Sequence, residues 1–456
     1  MSRREILLSG NITKSIIKMA LPLMGIAFIQ MTYTLVDLIW LGRLSTEAVA
    51  AVGSCGFFVW AAQAITLITK TGMSVGLSHA YGRGDESEIK SVVVSGFQVT
   101  LSLWLVTTLI YLTFKESLYG YFKLEKVVES LALEYHTVIS FGLIFTFLIP
   151  FFSSIFYSQG NSSTPFKVSL ISLVFNIVAD PIFIFGFGPI RPMGMKGAAL
   201  ATIMAQIIGV IIYIFIGIKY GEIYTKLNFF EKINKKFILQ TLKLGIPVSI
   251  QSLFHSLIGI KLNQYIAIFG SVGVATYAIG SQIESISWMS AEGFATAFSS
   301  FFGQNYGAKN FDRLEEAKKV CLKLIISLGL FASAVMIFGS KHLFKLFTPN
   351  DLEVISEGGN YLMILGITAT LLAMEIGVSG MLNGLGLTKY PAINGVVLNA
   401  ARIPMAYFLM KPLAISGIWW TMSLSGAFKG IVILLIFIYI EKKTNGFRIN
   451  MEKFQG

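Results

Sequence analysis

The sequence predicts an all-α polytopic membrane protein with twelve transmembrane helices in two pseudo-symmetric six-helix bundles. Of its 456 residues, 54% are hydrophobic and only 13% are charged, whereas a soluble domain carries about 25% charged residues. Long apolar runs separated by short polar loops recur from one end of the chain to the other. In addition, landmarks of the first half reappear about 225 residues later.

Each predicted span is an apolar run that meets the roughly 20 residues a helix needs to cross a bilayer. Several runs are longer than that, so we expect some helices to tilt or bend. The predicted spans are 15–41, 48–79, 92–114, 133–157, 165–187, 197–219, 239–265, 273–304, 317–340, 357–385, 391–410 and 415–440.

The two halves of the chain repeat one another. Pro22 and Pro247 are 225 residues apart, and so are the Tyr-Gly pairs that begin at Tyr81 and Tyr306. A repeat of six spans keeps its orientation, so the halves should be parallel repeats related by an axis along the membrane normal. The predicted organisation is an N-terminal bundle, a cytoplasmic linker, a C-terminal bundle and a cytoplasmic tail, over 1–219, 220–238, 239–441 and 442–456 respectively.

The net charge of +12 does not indicate a nucleic-acid-binding protein, because Lys and Arg lie in loops and at helix ends, where they set topology. Inside segments hold roughly 23 of them against 9 outside, so we expect a multi-pass protein of the cell membrane with both termini in the cytoplasm. The N-terminus does not resemble a signal peptide. Cys55 and Cys321 stand in apolar context and are expected to be buried and unpaired. The basic stretch 219–243 is either a linker or an amphipathic helix on the anionic leaflet.

The stretch 171–187, ISLVFNIVADPIFIFGF, places an acid within an apolar span. An Asp at bilayer depth costs about 2.5–3.5 kcal/mol on insertion scales, so it rarely lacks a function. Asn176 and Asp180 are four residues apart and share a helix face. Pro181 has no N–H, so the carbonyl of Ile177 is free to bind another group. These oxygens predict a site for a small cation or a proton; the alternative is a kinked helix whose Asp hydrogen-bonds a neighbour.

Two other spans of the first half carry polar residues at membrane depth. Gln30, Tyr33 and Asp37 form one polar stripe on the first predicted helix. The alternative for this stripe is a helix–helix hydrogen bond by Tyr33 and an Asp close to the outer interface. In the sixth span, Ala198 and Thr202 share a face, where a small residue lets another helix approach and a hydroxyl can add an oxygen ligand. Helix packing alone is the alternative for this pair.

The second half is polar at different places. His255 stands where Gln30 stands in the first half, and Glu284 and Glu375 are acids within apolar spans. Arg402 lies at membrane depth and can reach the interface or pair with an acid. Each of these residues has an alternative interpretation as a structural group satisfied by its neighbours.

The motifs exclude the common enzyme classes. The sequence has no HExxH zinc motif, no GxSxG nucleophile elbow and no GxxxxGK[ST] phosphate loop. We therefore predict no enzyme, no cofactor and no direct use of ATP. Two six-span halves with polar residues at depth are typical of a secondary transporter that works by rocking of its halves.

Together these residues resemble the multidrug and toxic compound extrusion (MATE) family, and within it the DinF-like branch. The motifs that carry the resemblance are the pattern Pro22, Gln30, Tyr33 and Asp37, the Tyr-Gly loops at Tyr81 and Tyr306, the loops at Gly160 and Gly386, and the sequence Asn176 to Pro181. The resemblance implies two six-helix bundles around a V-shaped cavity, and efflux driven by H⁺ or Na⁺.

The resemblance also implies roles for particular residues. The coupling site of DinF-like members maps onto Asp37, Asn176, Asp180 and Thr202, which would also be the Na⁺ ligands, with Ala198 contributing backbone. Substrate binding or gating is expected for Gln30, Tyr33, Pro22, His255, Glu284 and Glu375. The acid that matters in the C-terminal bundle of NorM-like members maps onto His255. This departure argues against a NorM-type site there and leaves His255 as a candidate proton-sensitive substitute.

The predicted function is export of amphipathic, often cationic compounds by H⁺ or Na⁺ antiport, in a monomer whose partners are small molecules and membrane lipids. Oxygen ligands suit Na⁺, and a desolvated carboxyl suits a proton equally well, so both ions stay open. The alternative is a lipid-linked oligosaccharide flippase of the same superfamily. A flippase should carry several bases for its anionic diphosphate, whereas acids at depth match or outnumber bases here.

Overall fold

The structure is a computed structural model that describes residues 7–120, 122–448 and 454. Nearly all of these residues are helical. The helices are α1 Ile12–Leu44, α2 Thr46–Arg83, α3 Glu86–Gly120, α4 Lys126–Ser158, α5 Ser163–Phe185, α6 Gly194–Tyr220, α7 Lys235–Ala267, α8 Gly270–Gly307, α9 Phe311–Phe347, α10 Leu352–Gly384, α11 Lys389–Ala400, α12 Arg402–Leu413 and α13 Ile415–Lys443.

The predicted all-α membrane architecture is confirmed. Among the described residues, eleven helical segments are long and apolar enough to cross a membrane, and one of them, Lys389–Leu413, consists of α11 and α12. Helix α8, with 38 residues, is a twelfth long helix. It does not count among the eleven, because its polar residues make it less apolar than they are. Most helices extend past the predicted spans, because the charged turns at their ends are soluble outside the apolar layer.

The internal repeat is visible in helix lengths and in loop geometry. Helices α1 and α7 each have 33 residues, and α2 and α8 each have 38. Gly160 and Gly386, which follow α4 and α10, have left-handed φ values of 76° and 79°. In both loops the next residue donates its N–H to the carbonyl five residues back at 2.9 Å. Glycine adopts this conformation without strain, so both turns end their helices in the same way.

The chain packs into two compact units. The N-unit consists of Gly25–Leu77 and Asp85–Ile246, and the C-unit consists of the described residues of Met1–Met24, Ser78–Gly84 and Pro247–Gly456. This division differs from the predicted boundaries at 219 and 239. The chain changes unit inside α1 and α7, close to Pro22 and Pro247, and also near the end of α2. The first turns of α1 therefore belong to the C-unit, and the first turns of α7 belong to the N-unit.

Close helix contacts explain why the start of α7 belongs to the N-unit. A Cβ atom at Gly245 would lie 2.0 Å from the carbonyl oxygen of Ile68, and one at Gly72 would lie 2.2 Å from the carbonyl oxygen of Thr241. Any side chain at either glycine would collide with backbone, so the two glycines permit α7 to pack directly on α2.

The basic stretch between α6 and α7 does not form the amphipathic helix considered above. It holds one 3₁₀ turn, Ile223–Lys226, followed by irregular chain that is tied to the N-unit. Gln98 Nε2 donates to the carbonyl of Glu231 at 3.0 Å, and the rings of Phe97 and Phe229 lie 4.4 Å apart. These contacts satisfy the backbone without helix formation. Both cysteines are free and buried, as predicted.

Candidate ion-coupling and substrate sites

Three helices of the N-unit carry the polar residues predicted for ion coupling. Asn176 and Asp180 of α5 are both 0% exposed, and Asn176 Nδ2 donates to Asp180 Oδ1 at 3.1 Å. Asp37 of α1 interacts electrostatically with Asp180, and Tyr33 interacts electrostatically with both acids. The structure therefore brings two carboxyl groups from different helices into one buried site.

Glycine contacts position α6 beside this site. A Cβ atom at Gly197 would lie 2.3 Å from the carbonyl oxygen of Phe183 on α5, and one at Gly142 of α4 would lie 2.3 Å from the Ile203 side chain. Helix α6 thus touches α5 and α4 at close range. Ala198 is buried next to the first contact, and Thr202 is adjacent to the second.

Five oxygen atoms of this site are enclosed by protein and have no hydrogen-bond partner among the residues that the structure describes. An enclosed polar atom without a partner costs about 1–3 kcal/mol. Two carboxyl groups at close range also repel each other when both are charged. A bound cation or proton would relieve both costs. The five atoms are Tyr33 Oη, Asp37 Oδ1, Asn176 Oδ1, Asp180 Oδ2 and Thr202 Oγ1.

The donor set decides which cation the site fits. All five atoms are oxygens, which suit a hard cation such as Na⁺, or a proton on a carboxyl. In the part of the chain that the structure describes, no cluster of three or more His, Cys, Asp or Glu side chains could hold a metal. The site therefore does not have the nitrogen and sulfur ligands of a zinc centre.

One residue of the site was missed in the sequence. Tyr135 of α4 is 7% exposed, interacts electrostatically with Asp37 and Asp180, and lies beside Thr202. A signal for it exists in the sequence. Tyr135 precedes Gly142 by seven residues, or two helical turns, so it faces the same side of α4 as the contact with α6.

The remaining residues predicted for the N-terminal half lie differently. Gln30 is exposed on α1, and the structure does not place it among the contacts of the two acids. Pro22 is also on α1, in the part that packs with the C-unit.

A second polar cluster lies in the C-unit and unites the three residues predicted there. Tyr361 Oη donates to Glu284 Oε2 at 3.0 Å, and Asn399 Nδ2 lies 3.4 Å from His255 Nδ1. Glu375 is buried and interacts electrostatically with Arg402, as Glu284 also does. His255 interacts with the same arginine and with Lys429, although much of its side chain is exposed. The cluster thus contains two bases to which the sequence assigned no site role.

The MatE family model matches residues 22–182 and 247–408. The chain belongs to the MatE family. MatE proteins are multidrug efflux transporters and not enzymes, as predicted. The two matches begin 225 residues apart and cover the corresponding parts of the two repeats.

Individual MatE relatives match along nearly the whole chain. The probable multidrug resistance protein NorM of Thermotoga maritima is 27% identical over 435 residues, which are 94% of this chain and 92% of that protein. The multidrug export protein MepA of Staphylococcus aureus is 23% identical over 429 residues, 93% of each. The fold is that of a multidrug resistance MATE transporter solved in an outward-facing conformation, with a TM-score of 0.89, 23% identity, and coverage of 96% of this chain and 98% of that chain.

Proposed function

We propose that this MatE protein exports small amphipathic, often cationic compounds in exchange for H⁺ or Na⁺. The observation that carries the proposal is the site around Asp37 and Asp180, where five enclosed oxygens lack partners. The ion would bind between the two carboxyl groups, with Asn176 and Thr202 as further oxygen ligands and Ala198 contributing backbone. The resemblance to DinF-like members supports placing the coupling site in the N-unit.

Coupling follows from the charge of this site. When the two carboxyl groups are ionised, binding of a cationic cargo or of the coupling ion is favoured, because it relieves the repulsion between them. When an ion or proton neutralises them, the attraction for cargo is lost and the packing of α1 and α5 changes. Two arrangements biased by one charge are what alternating access requires. Pro22 and Pro181 each lack an N–H donor, so α1 and α5 can adopt a second arrangement at these residues.

Substrate binding or gating is proposed for two groups of residues. Gln30 and Tyr33 lie along α1 with Pro22, and His255, Glu284 and Glu375 belong to the polar cluster of the C-unit. The protein is proposed to act as a monomer in the cell membrane with both termini in the cytoplasm.

The test is efflux of a fluorescent cation from proteoliposomes, with a Na⁺ gradient and a pH gradient imposed separately. One of the two gradients should drive efflux in the wild-type protein. Asp37→Asn and Asp180→Asn should each abolish it, while Glu116→Gln, at an exposed acid of the N-unit, should leave it unchanged. Wild-type efflux that ignores both gradients, or normal efflux in both Asp variants, would reject the proposal.

A further inference from the structure

Arg402 and Lys429 are two bases buried inside the C-unit. They are 9% and 5% exposed. A charged side chain at bilayer depth costs about 2.5–3.5 kcal/mol on insertion scales, and buried charges normally have a partner of opposite sign. Among the described residues, neither base has an ion-pair partner. Neither takes part in the ion pairs Lys196–Glu134, Lys318–Glu441 and Arg448–Asp312.

The contacts of the two bases leave their charged ends available. Arg402 Nε donates to Ser425 Oγ at 2.6 Å, which fixes the guanidinium plane. Its two terminal amino groups donate no hydrogen bond to a described residue, and these groups form the fork that binds a carboxylate in two places. Asn394 Nδ2 donates to the backbone carbonyl of Lys429 at 3.1 Å, so this contact does not use the lysine ammonium group.

Two acids are near the bases without joining them in ion pairs. Of the two acids, Glu284 interacts more strongly with Arg402 than Glu375 does, and Lys429 interacts most with Glu375. Asn399, which is 2% exposed, adds an enclosed Oδ1 without a partner. The acids and bases of this cluster therefore interact electrostatically, and no direct ion pair joins them among the described residues.

The charges of this cluster decide which ligand fits between them. A simple organic cation would be repelled by Arg402 and Lys429, and a simple anion would be repelled by Glu284 and Glu375. A molecule that carries both an amine and a carboxylate is matched on both sides. Such a ligand would also provide the partners that the buried charges lack.

We infer that Arg402 and Lys429 bind the carboxylate of zwitterionic cargo, while Glu375 faces its ammonium group. This inference rests on the proposed function in one respect, because it takes the ligand to be cargo. It adds a substrate class to that function. It also gives the C-unit a recognition role separate from ion coupling in the N-unit.

The test uses two dyes that differ in one group, a cationic rhodamine methyl ester and the zwitterionic free acid of the same dye. Equilibrium affinities are measured by fluorescence anisotropy on the purified full-length protein in detergent. Arg402→Gln and Lys429→Gln should each weaken binding of the acid at least about tenfold, because each removes a charge-assisted hydrogen bond. Binding of the ester should change less than about threefold.

The ester serves as the folding control within each variant, so the acid-to-ester affinity ratio is the quantity compared. Lys261→Gln is the matched control, since Lys261 is an exposed base of the same unit whose Nζ donates to Gln264 at 3.0 Å. Should a glutamine variant bind neither dye, the ratio is measured on Arg402→Lys, which keeps the charge and removes the fork. That variant should also lower the ratio.

An unchanged ratio in the Arg402 and Lys429 variants, or a wild-type protein that does not bind the acid, would overturn the inference. Failure of the proposed function would look different. Dye binding at equilibrium needs no ion gradient, so loss of gradient-driven efflux would leave the affinity ratio intact.

Discussion

Replacing Asp180 by Asn removes one charge from the ion-coupling site and changes little else. The side chain is 0% exposed, and its Oδ1 accepts the hydrogen bond from Asn176, which an asparagine oxygen can also accept at nearly the same position. The variant should therefore fold. Its Oδ2, which has no partner in the wild-type protein, becomes an amide nitrogen that cannot bind a cation.

The size of the effect follows from the lost attraction. A carboxylate and a cation about 4 Å apart attract by about 4 kcal/mol at an effective dielectric constant of about 20. The cation also loses hydration on entry, which offsets part of this energy. We expect a net loss of about 2 kcal/mol, which corresponds to roughly thirtyfold weaker binding.

The assay is thermal unfolding of purified protein with and without the coupling ion. At a Na⁺ concentration of about one hundred times the wild-type dissociation constant, binding stabilises the protein by about 2.7 kcal/mol, and a thirtyfold weaker site retains about 0.9 kcal/mol of this. If protons drive efflux, the same comparison is made on the pH dependence of cargo affinity. Glu116→Gln should behave as wild type. Undiminished ion-dependent stabilisation in Asp180→Asn would refute the assignment of this carboxyl to the site.

Four further outcomes are expected. Pro22→Ala should bind cargo normally in detergent yet transport it slowly in liposomes, because α1 loses its second arrangement. Normal transport would show that the proline is dispensable, and loss of both cargo binding and transport would indicate misfolding. Tyr135→Phe should weaken binding of the coupling ion about threefold to tenfold by removing a hydroxyl beside Asp37 and Asp180, whereas Tyr111→Phe, whose hydroxyl donates to the carbonyl of Phe58 at 2.6 Å, should not. Gly197→Val should lower the melting temperature at a cost of about 1–3 kcal/mol, while Gly120→Ala, with no atom within 4 Å of the added Cβ, should be tolerated. Finally, bound cargo should weaken ion binding by the same factor by which the ion weakens cargo binding. The measurement is cargo affinity titrated against Na⁺ and pH. A cargo affinity that stays constant in both titrations would show that the carboxyl groups are not the coupling point.

Periodicity and membrane depth were sufficient to predict most of the candidate ion site. Asn176 and Asp180 contact each other because the helical repeat places residues four apart on one face, and this property is local. The meeting of Asp37 with that face depends on how α1 packs on α5. The resemblance to a known family indicated this pairing, and apolar patterning alone could not.

The features that sequence reasoning missed depend on tertiary packing. Tyr135 joins the site through the close contact of α4 with α6, which Gly142 allows. Arg402 and Lys429 interact electrostatically with the acids of the C-unit although they come from different helices. Arg402 was expected to reach the interface or pair with an acid, and it instead binds a serine hydroxyl.

The change of unit within α1 and α7 bears on the order in which the protein can assemble during synthesis. When the ribosome has completed α6, every N-unit helix up to that point exists, but the surface of α2 that carries Gly72 has no neighbour until residues 235–246 emerge. In the same interval the first turns of α1 await the C-unit, which has not yet been translated. Neither half of the polypeptide can therefore reach its final packing alone. A split of the coding sequence between the two repeats would give two fragments, each holding a piece that the other needs.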